Sequence, residues 1–292
     1  MSAKLLGAHI PSAGMLGHSI RNGSKMGCTA IQVFTSSPQQ WKSKPVTDEV
    51  AADFKVAIRE TGITEIVSHD SYLINLCAPD LAKREQSIEG IKSEIERCAK
   101  YGIRFVVSHM GSHVGQGEEA GLAGVVESTR RVLDETPDSV TICMETTAGQ
   151  GTALMAKFEQ LAHLIEQLND HPRLAVCLDT CHVFVAGYDI RTEETFTHTF
   201  AEFDRIIGLQ LFCSKSKFEK FSSLCMYFSK KRAEKSDDFV LVRSNKIPML
   251  VHTVQPILKN NLSSKILCDI WNGQWCFPPV PNFKLSVLNS TV

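Results

Sequence analysis

The sequence predicts an α/β protein, a TIM (β/α)8 barrel that becomes incomplete or irregular after about residue 212. Two observations carry that expectation. The first two-thirds of the 292 residues alternates short apolar runs with amphipathic stretches, at a repeat of roughly thirty-five residues. Four of the apolar runs end in a metal-binding side chain: Ile66-Val67-Ser68-His69, Val106-Val107-Ser108-His109, Ile142-Cys143-Met144-Glu145 and Ala175-Val176-Cys177-Leu178-Asp179. His182 follows one loop-step after the last. Runs buried on both faces read as parallel strands. Polar groups at the ends of successive parallel strands converge on one rim, which is where a closed barrel does its chemistry.

Taken in order, strands are expected at residues 5–9, 30–35, 65–69, 105–109, 141–145, 174–179 and 208–212. Helices are expected between them at 14–26, 48–61, 81–101, 118–135, 157–169 and 193–206. Ile88, Ile91, Ile95 and Cys98 make an apolar stripe at helical spacing, with Lys and Glu opposite. Gly62, Gly102 and Gly208 stand just past three helix ends, where a left-handed cap is wanted. Seven parallel strands with right-handed crossovers fit a barrel better than an open sheet.

The texture changes near residue 210. Residues 210–292 hold one of the 18 glycines, Gly273, and twelve of the 31 Lys and Arg against five of the 32 acidic residues. Barrels need tight turns between strand and helix, and such turns favour glycine. The stretch 214–223 has neither helical nor strand periodicity, and Pro278-Pro279-Val280-Pro281 reads as extended or loop. The expected organisation is therefore a barrel domain over 1–212 with about seven β/α strands, then a lysine- and serine-rich tail over 213–292. The break falls inside an expected strand. That fits an aberrant end, such as a shifted reading frame, better than a separately appended segment.

Composition excludes some classes. A hydrophobic content of 43%, a charged content of 22% and a net charge of −1 are those of an ordinary globular chain, with no basic excess overall. No apolar run approaches the ~20 residues of a membrane span. The start of the chain is too short for an export signal before its first strand, so a cytoplasmic location is expected. Ten cysteines without paired spacing then read as reduced thiols. Cys177 and Cys181 flank Asp179, and both read as small core fillers rather than ligands.

Imidazole and carboxylate are the donors preferred by Zn2+ and Mn2+. His69, His109 and Glu145 would make a three-donor site, and Asp179 and His182 would extend it to a second, with Glu145 shared. Two adjacent divalent ions suit phosphodiester hydrolysis, whereas a single ion could polarise a sugar carbonyl. Taken singly, each residue has a plainer use: a hydrogen-bonded strand-end His, a buried salt-bridge Glu, or Asp179 as a helix N-cap. His9 ends the first strand towards the same rim. His113, in Gly111-Ser112-His113-Val114-Gly115, follows His109 in its loop. Either could touch the ligands rather than the ion. The glycine turns Gly115-Gln116-Gly117 and Gly149-Gln150-Gly151-Thr152 could offer amides to phosphate but read first as turns. His18, His163, His171 and His198 read as surface residues.

At these residues the chain resembles endonuclease IV, the zinc-dependent apurinic/apyrimidinic endonuclease family of base-excision repair. The resemblance spans residues 1 to about 211. It is carried by Gly7-Ala8-His9, Val33-Phe34-Thr35 with Trp41, Ser68-His69-Asp70-Ser71-Tyr72-Leu73-Ile74-Asn75-Leu76, His109-Met110-Gly111-Ser112-His113, Glu145-Thr146-Thr147-Ala148-Gly149-Gln150-Gly151 and Leu178-Asp179-Thr180-Cys181-His182. The last is close to a family signature.

The resemblance implies a TIM barrel with three zinc ions at its C-terminal rim. His69 and His109 resemble ligands of the first zinc, Glu145 bridges to the second, Asp179 looks like a ligand of the second and His182 of the third. It implies a DNA repair nuclease, a hydrolase that cuts the phosphodiester 5′ to an abasic site in double-stranded DNA, leaves a 3′-hydroxyl and also clears blocked 3′ ends. The family uses a metal-activated hydroxide and flips the damaged nucleotide. Tyr72 matches a loop position that the family uses on DNA. Gln39, in Ser36-Ser37-Pro38-Gln39-Gln40-Trp41, takes the place of an arginine that enters the minor groove. A monomer is expected.

The end departs from the family. A His-x-Asp-Ser-Lys segment, an Asp-x-His and a final strand-end Glu are missing after residue 212, where the chain reads Cys213-Ser214-Lys215-Ser216-Lys217. His252, the only histidine there, matches no family ligand. By this comparison the first zinc keeps its ligands, the second loses two, and the third keeps only His182, so fewer than three ions are expected. Two alternatives stand beside the nuclease: a metal-dependent sugar isomerase or epimerase on the same barrel, and an inactive truncated product.

Overall fold

The computed structural model describes residue 5, residues 7–208, and two strands at 238–242 and 249–253. Six parallel strands are laid down in chain order: β1 (Gly7–His9), β2 (Ala30–Val33), β3 (Glu65–His69), β4 (Phe105–Ser108), β5 (Thr141–Glu145) and β6 (Leu174–Asp179). Helices α1 (Leu16–Lys25), α2 (Asp48–Thr61), α3 (Leu81–Tyr101), α4 (Glu118–Glu135) and α5 (Phe158–Gln167) return the chain between them. After β6 come the short α6 (Thr180–Val185) and α7 (Glu193–Ile207).

The barrel is irregular beyond that point. β8 (Met249–Thr253) lies parallel to β6, and β7 (Asp238–Val242) runs antiparallel between β8 and β1, closing the ring in the order β1-β2-β3-β4-β5-β6-β8-β7. The expectation of a seventh parallel strand at 208–212 is corrected at its start. Gly208 is the left-handed cap of α7, at φ 90°, and is not in a strand; residues 209–212 lie outside the described residues. No strand of the tail is legible in the sequence, and two of its segments supply the closing strands. An unpaired β1 or β6 would expose a row of amides and carbonyls, so even a sequence poor in turn glycine is drawn into the ring.

Alternation along the strands separates two cores. Ile31, Ile66, Val106, Ile142, Met144, Val176 and Leu178 face the helices and join the large outer core. Ala30, Val67, Phe105, Val107, Cys143, Ala175 and Cys177 fill the barrel axis. His69, Glu145 and Asp179 each lie two residues above an axial residue, so the period of two aims them up the axis to the C-terminal rim.

Helix limits follow their caps. Thr47 accepts from the Val50 amide, and Asp80 from the amides of Ala82 and Lys83. Gly62 and Gly102 end α2 and α3 at φ 72° and 82°, a region closed to most side chains. At the opposite rim Arg173 is buried. Its guanidinium donates to the carbonyls of Val140, Leu133 and Thr136 and to the Thr136 hydroxyl, satisfying the end of α4. Among the described residues no helix is long and apolar enough to cross a membrane.

Candidate metal centre

Glu145, at the end of β5, sits at the middle of the rim. Its Oε2 lies 3.2 Å from His69 Nε2 and 3.0 Å from His109 Nε2. Its Oε1 lies 3.8 Å from His182 Nδ1, and Asp179 Oδ2 lies 3.7 Å from the same nitrogen. Two three-donor groups result, His69–His109–Glu145 and Glu145–Asp179–His182. In each, one donor atom per residue lies within 4.8 Å of the others. Glu145 and Asp179 are fully buried, whereas His109 and His182 are half-buried and keep an open side.

Backbone carbonyls set the rings. His69 Nδ1 donates to the Asp70 carbonyl at 2.9 Å, and His182 Nδ1 donates to the Thr146 carbonyl at 2.7 Å. A neutral imidazole that donates through Nδ1 presents a lone pair at Nε2. His69 therefore aims a lone pair at a carboxylate oxygen 3.2 Å away. That separation is one at which both atoms can ligate a single divalent ion, and without an ion a proton bridges them. With a donor set of imidazole and carboxylate, the residues fit a divalent ion such as zinc.

Further residues fix the ligands. Thr146 Oγ1 accepts from the Asp179 amide at 2.9 Å, and Asp179 Oδ1 in turn accepts from the His182 amide at 2.8 Å, capping α6. Asp70 is buried and accepts from the Ser108 hydroxyl; burial pushes its carboxyl up to about 7, with His69 and Ser108 opposing. Asn75 ties the β3–α3 loop to the loop after β4. It donates to the Ser112 carbonyl and accepts from the Ser112 amide. Gly111 permits that approach, because a Cβ there would stand 2.4 Å from Asn75 Oδ1. Thr146 and Asn75 escaped the sequence reading. The Thr146 carbonyl is a backbone acceptor and leaves no signature, and the Asn75 amide pairs with a residue distant in sequence, though both lie inside the motif stretches.

The other expected residues are placed differently. His9 packs against Phe34, whose ring lies 4.4 Å from that of His9 and 5.5 Å from that of His69, and it belongs to neither donor group. His113 Nδ1 accepts from the Gly117 amide at the start of α4 and belongs to neither donor group. Tyr72 is 59% exposed beside the centre, its ring 5.6 Å from that of His69. Gln39 is exposed in the β2–α2 loop, and the Pro38 carbonyl accepts from the Tyr72 amide and the Ser71 hydroxyl. Cys177 is fully buried with its thiol pushed up by burial, and burial pushes the Cys143 thiol up to about 12. Neither is set up to ligate as a thiolate. His18, His163 and His198 are exposed and His171 is half-buried. His252 stands opposite Asp179 in the register of β8 against β6.

Known proteins carry the same frame. The model of the xylose isomerase-like TIM barrel family matches residues 20–226. A probable endonuclease 4 of Chloroflexus aggregans is 48% identical over 205 residues, covering 70% of this chain and 72% of the relative. The chain belongs to the endonuclease IV family. The crystal structure of endonuclease IV from Thermus thermophilus superposes with a TM-score of 0.61 at 30% identity, over 69% of this chain and 71% of that one. A D-psicose 3-epimerase superposes at 0.51 with 17% identity, over 65% and 66%, a likeness of fold alone. The family match thus spans β2 through β6 and the whole donor set.

Proposed function

We propose that this chain is a metal-dependent deoxyribonuclease of base-excision repair, cutting the phosphodiester 5′ to abasic sites in double-stranded DNA and leaving a 3′-hydroxyl. The observation that supports it most is the pair of donor groups sharing Glu145. His69, His109 and Glu145 would hold one ion, and Glu145, Asp179 and His182 would contribute to another. Zinc, or Mn2+ in its place, supplies positive charge that polarises the phosphodiester and lowers the pKa of water. The half-open faces of His109 and His182 leave room for a phosphate, and buried Glu145 holds the donors around it. Tyr72 and Gln39, exposed on two loops joined through Pro38, would meet the strand around an extruded nucleotide.

The missing motifs after residue 212 lead to fewer than three ions per chain and slow turnover. The assay is nicking of a duplex with one abasic site by zinc-loaded, monomeric protein, scored for a 3′-hydroxyl product. Cutting confined to the abasic strand supports the reading. Equal binding to abasic and intact duplex with no nicking, or conversion of a free ketose, overturns it.

A further inference from the structure

The β2–α2 loop, residues 36–43, is closed at its base by a side chain outside it. Arg97 of α3 donates through Nη2 to the Thr35 carbonyl, where the loop begins, and through Nη1 to the Lys44 carbonyl, where it ends, at 2.5 Å. Its Nε donates to Thr35 Oγ1 at 3.0 Å. The Thr35 hydroxyl in turn donates to the buried Glu94 carboxylate at 2.7 Å, which also accepts from Ser68, the neighbour of His69. About two turns before Arg97 on the same helix, Gly90 lies against the ring of Trp41. Three residues of one helix thus hold both feet and one flank of the loop that presents Gln39.

We infer that Arg97 is a positioning residue, a clamp that sets the β2–α2 loop in its DNA-binding shape before DNA arrives. The inference rests on the role proposed above for Gln39 and Tyr72. A planar guanidinium can donate to two separated carbonyls at once, whereas an ammonium reaches as a single point. A loop closed beforehand loses little freedom on binding, and an open one must be ordered at that moment. Gln39 brings no charge to the DNA, so its placement matters more than its attraction.

The test compares the full chain with Arg97→Met, and with Arg97→Lys, which keeps charge and stem should the first variant fold poorly. Hydrogen–deuterium exchange is followed over residues 36–43, with α4 as the internal reference. Zinc content and affinity for abasic and intact duplexes are measured alongside. The clamp predicts exchange in 36–43 faster by at least about tenfold, unchanged α4 and zinc content, and abasic affinity weaker by roughly tenfold with intact-duplex affinity little changed. Arg97→Lys should give the same loss in smaller measure. Unchanged exchange overturns the clamp. Faster exchange with unaltered abasic affinity overturns its role in binding. If the unmodified chain does not prefer abasic DNA, the proposed function fails, and the exchange result alone decides whether Arg97 closes the loop.

Discussion

His69 and Glu145, 76 residues apart in sequence, meet with Nε2 3.2 Å from Oε2 while His69 Nδ1 donates to the carbonyl of Asp70. The ring cannot turn away without leaving that carbonyl unsatisfied in a buried place, where an unmade bond costs about 1–3 kcal/mol. Local sequence therefore fixes the tautomer, and the tautomer commits the other nitrogen to the barrel axis.

Thr146 extends this logic to the second donor group. Thr146→Val removes the acceptor of the Asp179 amide and leaves the carbonyl that orients His182. Zinc affinity at the Glu145–Asp179–His182 group should fall by about 10-fold or more, while the His69–His109–Glu145 group is nearly unaffected. Competition with a zinc chelator at graded concentrations resolves the two classes. A uniform loss at both would contradict the assignment.

Arg173 tests the opposite rim. Arg173→Met leaves the carbonyls of Val140, Leu133 and Thr136 without their buried donor. Stability should drop by roughly 2–4 kcal/mol, read as a lower urea midpoint, with zinc affinity unchanged. The two rims would then separate as stability and chemistry.

Much of this was legible because the cues are local. The limits expected for α2 and α3 coincide with the observed ones, since Thr47, Asp80, Gly62 and Gly102 mark those ends within the sequence; those of α4 coincide as well, without a side-chain cap. The strand-end donors were legible because a period of two carries axial residues into rim residues. Two other features left no such trace. The six-residue α6 is shorter than two helical turns, so no stripe announces it; only Asp179 as a cap does, and an aspartate at a strand end reads equally well as a ligand. The strands β7 and β8 were missed because their place depends on the unpaired edges of β1 and β6, far away in sequence.

Glu94 should set a pH dependence of stability. Burial raises its pKa above the usual carboxylate value, against the opposing hydrogen bonds of Ser68 and Thr35. The folded state then holds this proton more tightly than the unfolded chain. Its favourable contribution is present below the unfolded pKa and is lost as pH rises through the folded one. Urea unfolding from pH 4 upward should show native protein losing stability relative to Glu94→Gln. A difference that moves the other way would contradict the stated direction.

The central claim is that Glu145 holds two sets of donors around divalent ions. Zinc per chain, measured on purified monomer after dialysis against a weak chelator, tests it most directly in the native protein and in Glu145→Gln. The native chain should hold at least one ion tightly and the variant almost none, with both equally folded by circular dichroism. Equal zinc in the two proteins, or none in either, would contradict it.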